Sequence, residues 1–514
     1  MKTKLLSAAF ALASVCYVHA QDGLLDLTFN PSGTGASATP RILDIDASGK
    51  ILIGFGGAGN TYNDAATQNL IRLNADGTID ASFAQYNIGG TQTQYVGAAK
   101  NISNGNIIVA QVQRLRTCYD FYSCTFKSDL KLVRMDSTGN IDPFFSNNSY
   151  IYSQGGMGST IPVELAYLAV VEHFSDKVVV GGNFTDYEGS GLQKYSYVVR
   201  FDEDGSLDYT FNPGGTGPDG TVSGILKTPS RQLYLSGDFT KYNNVNMGRL
   251  TRINPDGTLD SGFNNGGSGF DNTVKTVALQ PDGKLLVGGT FTTYNGTPVN
   301  NIVRLNADGS LDSTFSSLTF ESATGGAVDL TKLIVLDDSK ILFSGRFNKY
   351  NFVQTGSVGR LNSDGSLDTT FNTGGRGAKI LTGTVATNAQ ITDIATQVDG
   401  KILFAGDFNY YNTNGTKKLF YRLTGGTPGS TLATAQPSKV KTELYPNPST
   451  GNIKIRSGEK ISRVAVYDRA GKLLRTLTPN AAEVKTDLSG FGTGIYILNV
   501  SSGQKNEAYK VVIK

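Results

Sequence analysis
The 514-residue chain contains no tryptophan, two histidines and three cysteines. His19 falls in an N-terminal stretch expected to be removed, so His173, in Val171-Glu172-His173-Phe174, is the one imidazole of the mature chain. A multi-histidine zinc site is then impossible, and Ser-His-Asp catalysis has little to stand on. A packed or surface histidine is the plainer reading. Tryptophan is the largest stacking face, and its absence weakens a sugar-stacking platform. The net charge of +3 is spread without a basic run, so nucleic-acid binding lacks support. Gly-Gly steps end strands rather than open helices, which argues against a phosphate-binding loop. No stretch carries the 3.6-residue period of an amphipathic helix.

Long apolar runs are also missing after the first twenty residues. Residues 1–20 read as a signal peptide: Lys2 and Lys4, an apolar core from Leu5 to Val15, then Val18-His19-Ala20 as a cleavage site. Val15 before Cys16 speaks against a lipid anchor. No later run is long enough to span a bilayer as a helix. Export leaves Cys118 and Cys124, and with no other Cys or His cluster nearby a local disulfide is favoured over a metal site.

What the chain has in abundance is glycine, 62 residues, and a repeat. Ile302-Val303-Arg304-Leu305-Asn306-Ala307-Asp308-Gly309-Ser310-Leu311-Asp312-Ser313-Thr314-Phe315 is two short strand-like runs around an Asp-Gly turn. Its arginine recurs as Arg72, Arg134, Arg200, Arg252, Arg304, Arg360 and Arg422, at separations of 62, 66, 52, 52, 56 and 62 residues. Glycine follows five residues later, where the turn needs a positive φ. Aspartate follows at eight (Asp80, Asp142, Asp208, Asp260, Asp312, Asp368) and phenylalanine at eleven. Arginine and aspartate flank the turn and are expected to face each other, the planar guanidinium suiting a bidentate pair. Groups that recur in every unit read as scaffold, since chemistry needs one site of unlike groups.

Each unit reads as four short antiparallel strands: Val274–Leu279, Lys284–Gly289, Asn301–Leu305 and Ser310–Phe315 in the clearest copy. Thr290–Thr297 reads as a loop. A Phe-x-x-Tyr step follows the second strand (Phe184/Tyr187, Phe239/Tyr242, Phe291/Tyr294, Phe347/Tyr350, Phe408/Tyr411) and reads as packing. Such units describe propeller blades. Asp22-Gly23-Leu24-Leu25-Asp26-Leu27-Thr28-Phe29 is the second half of a unit without its first; Phe420-Tyr421-Arg422-Leu423 is a first half without its second. Joining them, with Arg422 on Asp26, closes a ring of seven blades. The expected fold is therefore all-β: a seven-bladed β-propeller of four-stranded antiparallel blades over 21–424, closed by the N-terminal strand. Residues 425–440, rich in Gly, Thr, Ser, Pro and Ala, read as a linker. Residues 441–514 read as a small C-terminal β-sandwich, with strands near 452–456, 461–467, 472–477, 494–501 and 508–513.

The repeats resemble the delta-60 family of bacterial β-propeller repeats, with the signature R-L-x-x-D-G-S-L-D-x-x-F, over residues 22–423. Arg304–Phe315 and Arg360–Phe371 are near-perfect copies; Met135, Thr138 and Pro143 depart from it. The resemblance implies an exported or surface protein without settled biochemistry. The C-terminal stretch resembles the type A sorting domain of the type IX secretion system of Bacteroidetes-type Gram-negative bacteria. Tyr445-Pro446-Asn447-Pro448 with Gly451, Val464-Ala465-Val466-Tyr467-Asp468 with Gly471-Lys472, Gly494–Val500 and Tyr509–Lys514 carry it. That implies the type IX secretion machinery as partner and passage across the outer membrane. The protein is then secreted or fixed to the cell surface.

Site candidates lie off the repeat. The blade-two insertion Arg114–Cys124, dense in Arg, Tyr and Phe, has the composition of an interaction surface: Arg114, Arg116, Tyr119, Phe121 and Tyr122, pinned by Cys118–Cys124. Arg346 takes the place held by Asn183, Asp238, Thr290 and Asp407 elsewhere and is placed to face a ligand on the ring. Asn306, Asp308 and Asp312 are oxygen-rich enough for Ca²⁺ but lack the EF-hand order; turn chemistry is the plainer reading. No catalytic, cofactor or metal residue is named. The favoured function is a non-catalytic module binding a protein or glycan. The alternatives are an extracellular hydrolase or lyase with its site in the channel, which paired carboxylates would serve, and a structural envelope protein.

Overall fold
A computed structural model describes residues 22–513, apart from 57–58, 88–94, 103–104, 119–123, 149, 155–168, 175–176, 185–196, 317–318, 323–327, 383–384, 413, 416–418, 426–442, 446–448, 469–472 and 503–504. The expected signal peptide, Tyr187 and most of the expected linker lie outside these residues. The chain divides into Met1–Ala435 and Gln436–Lys514. Both units are all-β; among the described residues the one α-helix is the short Pro143–Asn148.

The first unit repeats one antiparallel sheet. In the clearest copy, Val274–Leu279 pairs with Leu285–Gly289, which pairs with Ile302–Leu305. Leu285–Gly289 is buried throughout, because neighbouring sheets cover both its faces. Sheets approach closely at the small end of this strand. A Cβ on Gly288 would stand 2.5 Å from Leu330 of the following sheet. Val274–Leu279 alternates buried and half-buried positions, as a strand with one wet face does. It also carries a bulge between Val274 and Thr276. The same irregularity recurs in the first strands Arg41–Ile45, Tyr95–Asn101, Val222–Lys227, Asp329–Val335 and Ile391–Thr396. First strands pack beside one another from sheet to sheet, and Arg41–Ile45 packs beside Ile391–Thr396.

The fourth strand differs from expectation. Beyond the third strand it contracts to a single bridge, Leu305 to Leu311, with the same bridge at Leu73–Ile79, Ile253–Leu259 and Leu361–Leu367. The cause is local. Asp312 Oδ1 accepts from the Thr314 backbone N–H at 3.0 Å and from its hydroxyl at 2.7 Å. That Asx turn bends the chain before a strand can extend. The segment expected as a loop instead carries a two-residue hairpin, Thr293–Tyr294 with Thr297–Pro298, which forms a sheet of its own. The Arg114–Cys124 insertion is no loose loop. Ile107–Cys118 and Cys124–Met135 run as a continuous two-stranded arm, with Tyr150–Gln154 alongside.

In the second unit one long strand, Asn452–Tyr467, replaces two expected ones. It pairs with Glu443–Tyr445 and Ala481–Asp487 along its first half. Along its second half it pairs with Leu473–Leu477 and Gly494–Ser502, and Lys505–Ile513 completes the sheet. Ala481–Asp487, with only Ala481, Ala482 and Val484 apolar, carried too weak a pattern to be read as a strand.

Candidate functional site
The repeated arginine ties three things together. Arg304 Nε donates to Asp312 Oδ2 at 2.7 Å, its guanidinium lies 5.0 Å over the Phe315 ring, and Nη1 donates to the Ser363 carbonyl of the next unit at 2.5 Å. Arg72 does the same with Asp80, Phe83 and the Ser137 carbonyl. Arg200 does so with Asp208, Phe211 and the Pro255 carbonyl. The contact is therefore a clasp between neighbouring sheets and not the bidentate fork expected: Asp312 Oδ1 is taken by the Thr314 N–H and hydroxyl, and Arg304 Nη2 donates to Thr314 Oγ1. A planar group with five donors serves all three partners at once, which lysine could not.

Sequence spacing did not reveal the rest of the clasp. Lys284 Nζ reaches Asp312 Oδ2 at 2.7 Å; Lys50, Lys177 and Lys340 likewise reach Asp80, Asp208 and Asp368. Burial works against the charge on Asp312, but hydrogen bonds from Lys284, Thr314 and Arg304 outweigh it and hold the carboxyl below its ordinary value. Tyr294 donates its hydroxyl to the Gly309 carbonyl at 2.6 Å, and burial pushes that hydroxyl's pKa up. Asn264 and Asn295 join their amides at 2.8 Å, both at positive φ. The signals were a lysine opening the second strand and an Asn after four of the repeated phenylalanines, Phe29, Phe211, Phe263 and Phe371. Their partners lie about thirty residues away, where no short-range pattern shows them.

The same parts meet where the two ends of the repeat region come together. Leu25 bridges Leu423, Asp26 N–H donates to the Arg422 carbonyl at 2.8 Å, and Arg422 Nε donates to Asp26 Oδ2 at 2.9 Å. Arg422 Nη1 donates to the Ala75 carbonyl of the first sheet at 2.6 Å, and Tyr411 to the Gly23 carbonyl at 2.7 Å. Arg360 pairs with Asp368 and also with Asp22, at 2.8 Å.

These tandem units match the family model described as domain of unknown function (DUF5122) beta-propeller, at residues 47–83, 175–211, 228–263, 280–315, 336–371 and 397–420. Residues 443–514 match the secretion system C-terminal sorting domain. The chain carries β-propeller repeats followed by a type IX sorting domain. The sorting domain implies interaction with the type IX secretion machinery, and a protein that is secreted or held at the outer surface. Among the described residues no helix is long and apolar enough to cross a membrane.

Among solved structures, one similar chain is PorZ, a surface component of the type IX secretion system of Porphyromonas gingivalis. It is 12% identical, with 91% of this chain and 68% of that one covered and a TM-score of 0.27. YCF48 from Cyanidioschyzon merolae is 14% identical, with 67% and 92% covered and a TM-score of 0.20. No curated protein matches the chain.

Within the propeller the first strands carry charges that pair across sheets. Lys100 Nζ lies 2.6 Å from Asp44, Lys275 Nζ 3.3 Å from Asp329, and Lys332 Nζ 3.2 Å from Asp393. Asp44, Lys332 and Asp393 each follow their strand's bulge, which turns them toward the neighbouring sheet. The repeated turn carboxylates are engaged as well. Asp308 Oδ1 accepts from Ser310 N–H and Oγ, and Asn306 Nδ2 donates to Ser310 Oγ. The oxygens considered for Ca²⁺ are thus arranged as turn and ion-pair acceptors. Among the described residues no three His, Cys, Asp or Glu gather as metal ligands.

Arg346 is exposed at the end of its strand, and its Nη2 donates to the Gln390 amide oxygen of the following sheet. Arg114 and Arg116 sit in the arm's strand, opposite Ser128 and Phe126. Cys118 and Cys124 are directly opposed in its register. Tyr119, Phe121 and Tyr122, and the side chains of the arm's outer part, lie outside the described residues. His173 falls within the strand Ala169–Phe174. Sequence reasoning passed over a cleft of about 610 Å³ lined by residues of 353–360 and 367–379.

Proposed function
We propose that the protein is a seven-bladed propeller acting as a non-catalytic binding module, carrying a small β-sandwich as its export tag. The packing of first strand on first strand, and of Arg41–Ile45 on Ile391–Thr396, supports seven blades in a ring. The two halves of Asn452–Tyr467 pair with different strands around one buried core of Ile453, Ile455, Val464, Val466, Leu498 and Val511, which supports a sandwich. Residues 1–20 serve as the signal peptide, 21–424 as the propeller and 425–440 as the linker.

One observation carries the functional reading. The repeated Arg, Lys and Asp, and Lys100, Lys275 and Lys332 of the first strands with Asp44, Asp329 and Asp393, are committed to one another, which is what a scaffold requires. Ligand contact then falls to connections that break the repeat. The arm is one such connection, and ligand contact is assigned to its Arg114, Arg116, Tyr119, Phe121 and Tyr122, with Cys118 and Cys124 joined as a disulfide. The test applies the chain without residues 1–20 to a glycan array and a panel of surface proteins. Any polysaccharide that binds is then assayed for cleavage. Saturable binding without product formation, lost on removal of 113–126, is expected. Release of oligosaccharide products, or binding indifferent to that removal, overturns the reading for the arm.

A further inference from the structure
The propeller breaks its own pattern in one further place, and three departures meet there. After each Phe-Asn step the units read Gly33-Thr34-Gly35-Ala36-Ser37, Gly215-Thr216-Gly217-Pro218-Asp219 and Gly267-Ser268-Gly269-Phe270-Asp271. The last copy reads Gly375-Arg376-Gly377-Ala378-Lys379. A hydroxyl residue has become arginine, and a serine or aspartate has become lysine. The aspartates have a job: Asp271 accepts from Thr292 N–H and Oγ1 and from Thr293 N–H, and Asp219 does the same for Thr240 and Lys241. At position 379 that cap is given up for a cation. Arg376 is exposed and Lys379 half-buried, and among the described residues neither has a carboxylate partner.

The second departure is in the hairpin opposite. Its left-handed second position holds Asp64, Asn244 and Gly296 in other units, residues that tolerate positive φ. Here it is Phe352, at φ 65° and 79% exposed. An aromatic held in a disfavoured conformation with its face in solvent is strain that packing does not explain, and such outliers point to function. The third departure is Thr355, three residues on. Its hydroxyl is buried without a hydrogen-bond partner, although the equivalent Thr67 donates to the Asn60 carbonyl.

Val353, Gln354 and Thr355 line the 610 Å³ cleft together with Thr373, Arg376 and Lys379. Asp368, the carboxylate in the lining, is already held by Arg360 and Lys340. The cleft is thus the size of a small-ligand site, and it offers two cations, an unsatisfied hydroxyl and the amide oxygen of Gln354, whose Nε2 donates to the Asn348 carbonyl; exposed Phe352 directly precedes the lining residue Val353 in the chain. We infer that this cleft binds an acidic sugar, with its carboxylate or sulfate on Arg376 and Lys379 and its ring against Phe352. A guanidinium matches both oxyanions bidentately, and the Thr355 hydroxyl and the Gln354 amide oxygen suit sugar hydroxyls. This site rests on the binding-module reading but not on the arm.

The test uses the chain without residues 1–20, titrated calorimetrically with an oligogalacturonate (carboxylate alone), a heparin tetrasaccharide (sulfate-rich) and neutral maltotetraose. The double variant Arg376→Ser, Lys379→Asp installs the residues an earlier unit carries at Ser268 and Asp271, so the fold should be retained. One or both acidic sugars should bind, with an affinity that falls as salt rises. The double variant should lose about a hundredfold, roughly tenfold for each charged contact. Phe352→Gly, the residue at position 296, should weaken binding while raising the melting temperature by about 1–2 °C, since glycine relieves the left-handed strain.

Acidic-sugar binding within threefold of wild type in the double variant overturns the site, as does wild-type protein that binds neither acidic sugar or binds maltotetraose equally. If deletion of 113–126 abolishes acidic-sugar binding while the double variant keeps it, the cleft is refuted and the binding-module reading stands.

Discussion

Arg422→Ala probes the join between the two ends of the repeat region. The Arg422 side chain is 5% exposed and that of Asp26 6%. Truncation removes the ion pair, the donors to the Ala75 carbonyl and the Gln397 amide oxygen, and the cation over Phe29. Removing one member of a buried pair costs about 3–5 kcal/mol, chiefly because the other charge is stranded. Asp26 keeps Lys401 at 3.5 Å and the Thr28 hydroxyl and N–H, so the lower end, about 3 kcal/mol, is expected. Arg304→Ala removes equivalent contacts, its carboxylate partner Asp312 lying in the same continuous strand and turn, and should cost a similar amount. The difference lies in what comes loose. Gly23 and Asp26 amides donate to carbonyls some four hundred residues away, at Thr424 and Arg422. In Arg422→Ala these amides should exchange with deuterium at least tenfold faster, while Arg304→Ala leaves them protected. Guanidinium unfolding supplies the stability and hydrogen exchange the locality. A loss below about 1 kcal/mol, the range of an exposed pair, with unchanged exchange at residues 23–26, refutes the closure.

Three further outcomes follow from the same clasp. Asp26, Asp208, Asp312 and Asp368 have folded-state pKa values depressed below their ordinary value. The stability they contribute is complete above the unfolded value near 4 and drains as pH falls below it. The melting temperature should be flat from pH 7.5 to 5.5 and drop steeply below about pH 4; a fall confined to pH 6–8 contradicts this. Tyr294→Phe leaves the buried Gly309 carbonyl without its side-chain donor and should cost about 1–2 kcal/mol, read in the same unfolding experiment. Full stability in that variant means the hydroxyl is incidental. The register opposes Cys118 and Cys124, and opposed antiparallel residues stand about 4.5–5.5 Å apart at Cα, within disulfide range. Thiol titration of the exported, denatured protein should find neither free; two titratable thiols would exclude the bond.

The repeat was legible because Arg, Gly, Asp and Phe keep fixed offsets within fifteen residues of sequence. The parts that make the repeat a propeller were not, because their partners lie about thirty residues on or in the next unit. Nothing around Lys284 announces Asp312 across its own unit, and nothing around Asn264 announces Asn295. Misreadings have the same local origin. Ser310–Phe315 alternates like a strand, yet Asp312 caps the Thr314 N–H and turns the chain. The aromatic and Arg content of the arm suggests a loop, while its backbone pairs from Ile107 to Cys118. Of the candidate contacts, Arg346 is drawn to the neighbouring sheet by Gln390. The cleft at Arg376 and Lys379 needed the three-dimensional meeting of two hairpins. Its signal was present as a mismatch between aligned units, a type of mark the search for shared residues passes over.

That mark bears on how such a protein acquires specificity. A clasp that takes the same Arg, Asp, Lys, Phe, Tyr and Asn in unit after unit constrains those positions, because altering one strands a partner in the neighbouring sheet. Variation is cheap only where a residue answers to its own unit alone: the hairpin tip at Phe352, the cap position at Lys379, the solvent-facing Arg376. Replacing the Asp219-type cap by Lys379 forfeits three hydrogen bonds to the adjacent hairpin. The last unit restores part of that order another way: Asn409 exchanges side-chain bonds with the Leu381 N–H and carbonyl, and Ala378–Thr382 pairs with the inserted strand Val385–Asn388. A lost cap repaired by a local insertion, with a cation left in its place, is the arrangement expected of a unit released from scaffolding for recognition.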